Sequence, residues 1–238
     1  MPYTTINKSS AHFAPKLWTG NGSTQNITGF EFQPDFVWLK NRDASNQEPC
    51  IYDAPRGVQQ RLFTSGAGGD SSSGTGGLTA FNSDGYSLGS AGNNNGNGVG
   101  YVAWNWKANG AGSSNTDGSI NSTATSVNTT AGISIVTYTG NGYSGATVGH
   151  GLGAVPEMII VKARSGSNNW AVYHKSIGAT KYLRLNATDA QATSTARWND
   201  TAPTSSVFSL GNDGEVNSNT VPYVAYCFAG KTGFSKFD

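Results

Sequence analysis

The chain has 238 residues with 15 Lys and Arg against 14 Asp and Glu, a formal charge of +1, and only 12% charged residues. Gly, Ser, Thr and Asn make up close to half of it, with 32 Gly, while Glu occurs four times and Leu nine times. So low a charge excludes a coiled coil and a charge-driven disordered tail, and the scarcity of helix formers beside plentiful Thr, Val, Tyr, Trp and Phe points to an all-β protein with long polar loops. No stretch concentrates Lys and Arg enough to suit a nucleic-acid binder, and no apolar run reaches the ~18–20 residues of a membrane helix.

In chain order, Met1 to Phe13 holds Pro, Thr, Ser and Asn where a signal peptide would carry a basic patch and an apolar segment. It is expected to be an N-terminal arm of a protein made in the cytosol, used for anchoring or strand exchange. Phe36-Val37-Trp38-Leu39 follows a proline and predicts a strand covered on both faces. The run 66–77 predicts a long, mobile loop. Tyr101 to Trp106 alternates, and its face of Val102, Trp104 and Trp106 is expected to point at the core. From 109 to 131 the chain is nearly all Gly, Ser, Asn and Thr, a composition that predicts a linker. Met158-Ile159-Ile160-Val161 predicts a second strand covered on both faces. Gly20-Asn21-Gly22, Asp84-Gly85 and Gly211 to Gly214 supply residues that tolerate positive φ at turns.

Self-comparison organises these pieces. Leu17 to Gly22 returns as Thr137 to Gly142, Gln33 to Lys40 as Val155 to Lys162, Ile51-Tyr52-Asp53 as Val172-Tyr173-His174, Tyr86 to Gly89 as Phe208 to Gly211, and Tyr101 to Trp106 as Tyr223 to Phe228. Five blocks in one order, at offsets of 120 to 122, read as a tandem duplication. The expected organisation is an arm (1–13), a β-sandwich repeat (14–108), a linker (109–131), a second sandwich repeat (132–232) and a terminal segment (233–238). Gly233 to Phe237 resembles Gly132 to Val136, so that segment is expected to open a further repeat or to pair with a neighbouring subunit.

Chemistry is harder to find. Gly140 to Gly145 fits G-x-G-x-x-G, but the following residues have no helical periodicity, so a strand-connecting turn is the better reading than a dinucleotide site. His12, His150 and His174 have no counterparts in the other copy and read as exposed or strand-edge residues. Asp35 and Glu157 are the one acidic position kept in both copies, next to a proline where a turn or capping role suffices. Cys50 and Cys227 lie 177 positions apart and read as small buried hydrophobes. No catalytic residue, metal ligand or cofactor is expected. The aromatics of the repeated blocks, Trp18/Tyr138, Trp38/Ile160, Trp104/Tyr226 and Trp106/Phe228, exchange for other bulky groups as core residues do. Trp170 and Trp198 lack such partners and sit among polar residues. With Asn199 and Asp200 they are the candidate ligand contacts.

The repeated blocks, with Phe81 to Gly89, Tyr101 to Ala108 and Gly149 to Pro156, resemble the repeat modules of structural proteins from tailed phages of aquatic bacteria, described as tail-fibre, lectin-like or SPRY-like. The resemblance covers about residues 14 to 237. It implies concanavalin-like or jelly-roll sandwiches displayed on a virion assembled in the host cytoplasm, with other virion proteins as partners and homo-oligomer formation expected, and host-surface glycan a weakly bound partner under the attachment reading alone. Family copies often carry Cys where Asn105 stands, a feature that Cys227 keeps. Two functions follow as expectations: a tail-fibre or attachment protein, or a capsid decoration protein stabilising the head shell.

Overall fold

Alternating apolar residues and frequent glycines leave the backbone two ways to satisfy its amides, short strands and tight turns, and the chain uses both. The computed structural model describes residues 4–44 and 46–238. The fold is all-β. The chain folds into two compact units.

The N-terminal unit comprises Lys8–Ser65 and Asp70–Ala111. Its strands are β1 (Phe13–Thr19), β2 (Gln25–Thr28), β3 (Phe36–Asn41), β4 (Cys50–Asp53), β5 (Gln60–Phe63), β6 (Ser71–Ser72), β7 (Leu78–Asn82), β8 (Gly85–Leu88) and β9 (Gly100–Trp106). A six-stranded sheet runs β1-β9-β3-β4-β5-β6 and a three-stranded sheet β2-β8-β7, with every pairing antiparallel. Between them lies one apolar core that includes Ile27, Phe30, Val37, Leu39, Tyr52, Tyr86, Tyr101 and Ala103.

The C-terminal unit comprises Gly112–Asp238, the tetrapeptide Gly66–Gly69 and the described residues before Lys8. Its strands are β10 (Ala124–Asn128), β11 (Ile133–Thr139), β12 (Ala146–Gly149), β13 (Met158–Ala163), β14 (Ala171–His174), β15 (Lys181–Arg184), β16 (Ala192–Thr193), β17 (Val207–Leu210) and β18 (Pro222–Phe228). A seven-stranded sheet runs β10-β11-β18-β13-β14-β15-β16, and β12 pairs with β17. Val136, Tyr138, Val148, Ile159, Tyr173, Phe208 and Tyr223 pack between the two sheets. Both units are therefore layered as β-sandwiches.

Several expectations change. The 109–131 segment does not stay a linker: Ala124–Asn128 forms β10 and hydrogen-bonds along β11, with Ile120, Ser122, Thr125 and Ser126 buried. Polar composition hid the strand because its hydroxyls are satisfied locally, as in the 2.8 Å bond between Ser122 and Thr125. The 66–77 loop holds β6 and a 3-10 turn, Gly74–Gly76, and Gly68 bridges Ser167. The arm is short, because a 3-10 turn at Ser9–Ala11 leads straight into β1; residues 1–3 lie outside the described residues. At the other end, Lys231 and Ser235 close a turn and Phe237 packs 5.9 Å from Phe228, with no strand.

One network ties strand to loop in both units. In the N-terminal unit, Asn95 is buried and its Nδ2 donates to the carbonyls of Gly89 (2.8 Å) and Ser23 (2.5 Å) and to Asn21 Oδ1 (3.2 Å). Its Oδ1 accepts the Asn21 amide and its backbone carbonyl the Gly22 amide. In the C-terminal unit, Asn217 Nδ2 donates to Gly211 O, Tyr143 O and Asn141 Oδ1, and its oxygens accept the Asn141 and Gly142 amides. The repeated Thr-Gly-Asn-Gly thus exists to meet a buried asparagine. A Cβ at Gly20 would stand 2.2 Å from Gly96 O, and one at Gly140 2.3 Å from Ser218 O, so no other residue fits. Tyr101 and Tyr223 complete the clamp: each hydroxyl donates to Gly92 O or Gly214 O and accepts the amide of Gly96 or Ser218.

Strand β1 forms an edge of its sheet, whereas its counterpart β11 is covered by β10. Gly20 and Lys107 mark the bonds to β9, so by ladder alternation Phe13, Pro15, Leu17 and Thr19 turn their backbone groups outward. Proline at the second of these positions removes an outward donor and blunts the edge.

Two outcomes follow. Asn95→Ala or Asn217→Ala leaves several buried backbone groups unpaired and is expected to lower stability by about 3 kcal/mol, read as the urea midpoint. Pro15→Val restores the edge donor and is expected to raise self-association in sedimentation velocity; an unchanged monomer fraction would show that the proline does not guard this edge.

Candidate functional site

The four candidate ligand contacts fall in places that alter their meaning. Trp170 is fully buried, stacked 6.5 Å from Tyr226, with Nε1 donating to Gly66 O. Trp198 is buried in the last turn of the short helix Thr195–Trp198, edge-on to Tyr173 at 6.0 Å. Neither is an exposed contact. Their polar sequence neighbours misled because side chains on one strand or turn point to opposite sides. Asn199 and Asp200 follow with φ of 52° and 49°, a left-handed exit from that helix, and only Asp200 is exposed.

The histidine reading also changes. His150 is fully buried rather than exposed. Its Nδ1 accepts the Leu152 amide, so Nε2 carries the proton and donates to Thr204 O at 3.2 Å. Burial lowers its pKa from 6.5. His12 is lowered by burial and then by Lys107.

Other polar clusters are self-satisfied. Asp35 Oδ2 accepts the Ala108 amide (2.7 Å) and Oδ1 accepts from Gln33, which is the turn role its repeated acidity suggested; burial raises its pKa against these bonds. Arg56 is buried between Asp53 (2.6 Å) and Asp70 (2.8 Å). Glu215 bridges Arg184 and Arg197, and Tyr182 lies beneath both guanidiniums. Cys50 and Cys227 are free thiols, both buried. Burial pushes Cys50 up to about 12 and Cys227 higher still, so neither is a ready nucleophile. Gly140 to Gly145 is a connection between β11 and β12, and no helix begins there. Among the described residues no group of three or more His, Cys, Asp or Glu could hold a metal ion.

The open surface lies elsewhere. In β9 the face of Tyr101, Ala103 and Asn105 is buried, and Val102, Trp104 and Trp106 point outward, the reverse of the expected orientation. Asn105 lies on the inner side with Tyr101 and Ala103, its Nδ2 donating to Ala14 O and Ala103 O, and Tyr223, Ala225 and Cys227 face inward in the same way in β18. Register sets Trp38 opposite Trp104, with Phe36 opposite Trp106. Trp38, Trp104 and Trp106 line a shallow groove of about 350 Å³. Trp104 is 39% exposed, and Leu17, opposite Val102, is 61% exposed. Trp106 is braced by Phe13 at 4.7 Å and Phe36 at 5.0 Å, which holds the platform rigid.

In the C-terminal unit the matching positions, Ile160, Tyr226 and Phe228, are all buried. The three tryptophans are thus a feature of one unit only. Bulk exchange between copies suggested core residues for both, and it failed because one sheet face is covered in one unit and open in the other. One family model matches residues 8–238. The chain belongs to the DUF7483 family, a domain of unknown function. Comparison with curated proteins and with solved structures gives no match. No helix among the described residues is long and apolar enough to cross a membrane.

The lowered pKa of His150 carries a sign. Below pH 6.5 the unfolded chain binds a proton that the folded chain refuses, so the stability present in full above 6.5 declines as pH falls toward the folded pKa. His12 acts in the same direction. Urea unfolding between pH 5 and 7.5 is expected to show stability falling by up to about 1.4 kcal/mol per pH unit from His150, with His150→Gln removing that slope.

Proposed function

We propose that this chain is a non-enzymatic structural protein of a tailed-phage virion, displayed on the particle as a tail-fibre or attachment component, and that it holds host glycan on Trp38, Trp104 and Trp106. The observation that carries the reading is the indole platform on the outer face of the six-stranded sheet. A flat aromatic surface suits the C–H face of a pyranose ring, and its 350 Å³ groove has room for one or two rings. Bracing by Phe13 and Phe36 lets the platform bind without ordering loose side chains. Single contacts of this kind are weak, and copies arrayed on a particle make them effective.

A chain of net charge +1 with polar turns suits dense packing beside identical copies. The sequence resemblance to phage repeat modules supports the virion placement, and the glycan role moves from Trp170 and Trp198 to the outward tryptophans.

The test is a glycan array followed by tryptophan-fluorescence titration of each responding saccharide. Trp104→Ala is expected to weaken binding roughly tenfold, by loss of one stacking contact of about 1–1.5 kcal/mol, while Trp170→Phe, a buried change, leaves it within about twofold. A silent array, together with density for the protein over the head shell in cryo-electron microscopy, would replace this reading with capsid decoration.

A further inference from the structure

Beside the indole platform stands one cation whose hydrogen-bonding capacity is mostly unused. Lys40 lies two residues beyond Trp38 in β3, so it shares the outward face about 7 Å along the strand, and register sets it opposite Val102. It is half-buried, and its Nζ donates to Gln47 O at 2.7 Å. An ammonium carries three donors, and no carboxylate among the described residues pairs with this one.

The other copy shows what a satisfied version looks like. Lys162 occupies the matching position, is fully buried, and its Nζ donates to Asn168 O (2.6 Å) and to Ala67 O (2.8 Å). Gln47 O corresponds to Asn168 O, so the anchoring bond is common to both. The second acceptor is not: among the described residues Gln47 O is the acceptor that Lys40 Nζ meets. The shared bond gives the ammonium a fixed anchor in place of the freedom of a surface lysine.

From this juxtaposition we infer that the platform selects acidic saccharides, with a sugar ring stacked on the indoles and its carboxylate received by Lys40. The inference rests on the glycan reading above and adds the charge of the ligand. Single-stranded nucleic acid also combines stacking with anionic groups, but it needs a basic groove along its backbone, and the tryptophan groove itself is lined by three indoles and no cation.

The experiment compares α-1,4-linked trigalacturonate, its methyl ester and an oligothymidylate of ten nucleotides on the full-length chain, by tryptophan fluorescence at low and moderate salt. Trigalacturonate is expected to bind about tenfold more tightly than the ester, consistent with one charge-assisted hydrogen bond, and to weaken with salt while the ester does not. Lys40→Gln should equalise the two saccharides at the ester's affinity, and Lys40→Arg should keep the preference. Unchanged thermal midpoints in both variants would assign the effect to the ammonium. Equal binding of acid and ester by the unaltered protein overturns the inference and leaves the glycan reading standing. No response to either saccharide overturns both, and tighter binding of the oligothymidylate overturns the choice of sugar as ligand.

Discussion

A buried asparagine amide in each unit holds the fold's most exacting bond set. Asn95 and Asn217 each join the loop that leaves β1 or β11 to the loop that enters the neighbouring strand, β9 or β18. Their backbone partners lie where neither sheet nor helix can satisfy them, and an unpaired amide or carbonyl there costs about 1–3 kcal/mol each. One side chain meeting three such groups therefore decides whether the loop has a single structure. The stacked pair above it, Trp18 on Tyr101 at 5.4 Å or Tyr138 on Tyr223 at 5.2 Å, can form only when the loop is closed. Glycine at 20 and 140 follows from the same closeness of backbones.

With strand ends clamped, the large sheet can present a surface without flexing. In the N-terminal unit that surface is apolar and partly open. On the inner side of β9, Asn105 donates to two carbonyls, and Trp104 and Trp106 take the outer side. Cys227 stands at the matching position without polar demands, and there the outward neighbours Tyr226 and Phe228 are buried. Both strands turn the same face inward, so what covers the outer face, and not Asn105 or Cys227, separates a displayed aromatic face from a covered one.

The legible part of this protein was its repetition. Beside it, composition gave the all-β class, and alternation and turn residues, being local signals, gave strands such as Phe36–Asn41 and Met158–Ala163. The functional surface was not legible for a geometric reason. Period-two alternation assigns Trp104 and Trp106 to one face, but which face meets the core depends on what packs there. Trp170 and Trp198 failed in the opposite sense: polar neighbours along the chain say nothing about the neighbours across space, where Tyr226 and Tyr173 wait. Asn95 and Asn217 could have been found. They recur at the same offset as the blocks around them, inside polar runs where a repeated asparagine looks like composition.

By itself the sequence determined the strand-rich class, the near-neutral polar surface and the two-fold recurrence of its blocks, all of which rest on residue types and spacings along the chain. Tertiary structure alone decided which aromatics are displayed, that Ala124–Asn128 leaves the linker to cover an edge, and that Lys40 and Lys162 differ in burial. These depend on what occupies the space beside a residue, and one dimension of sequence does not specify that.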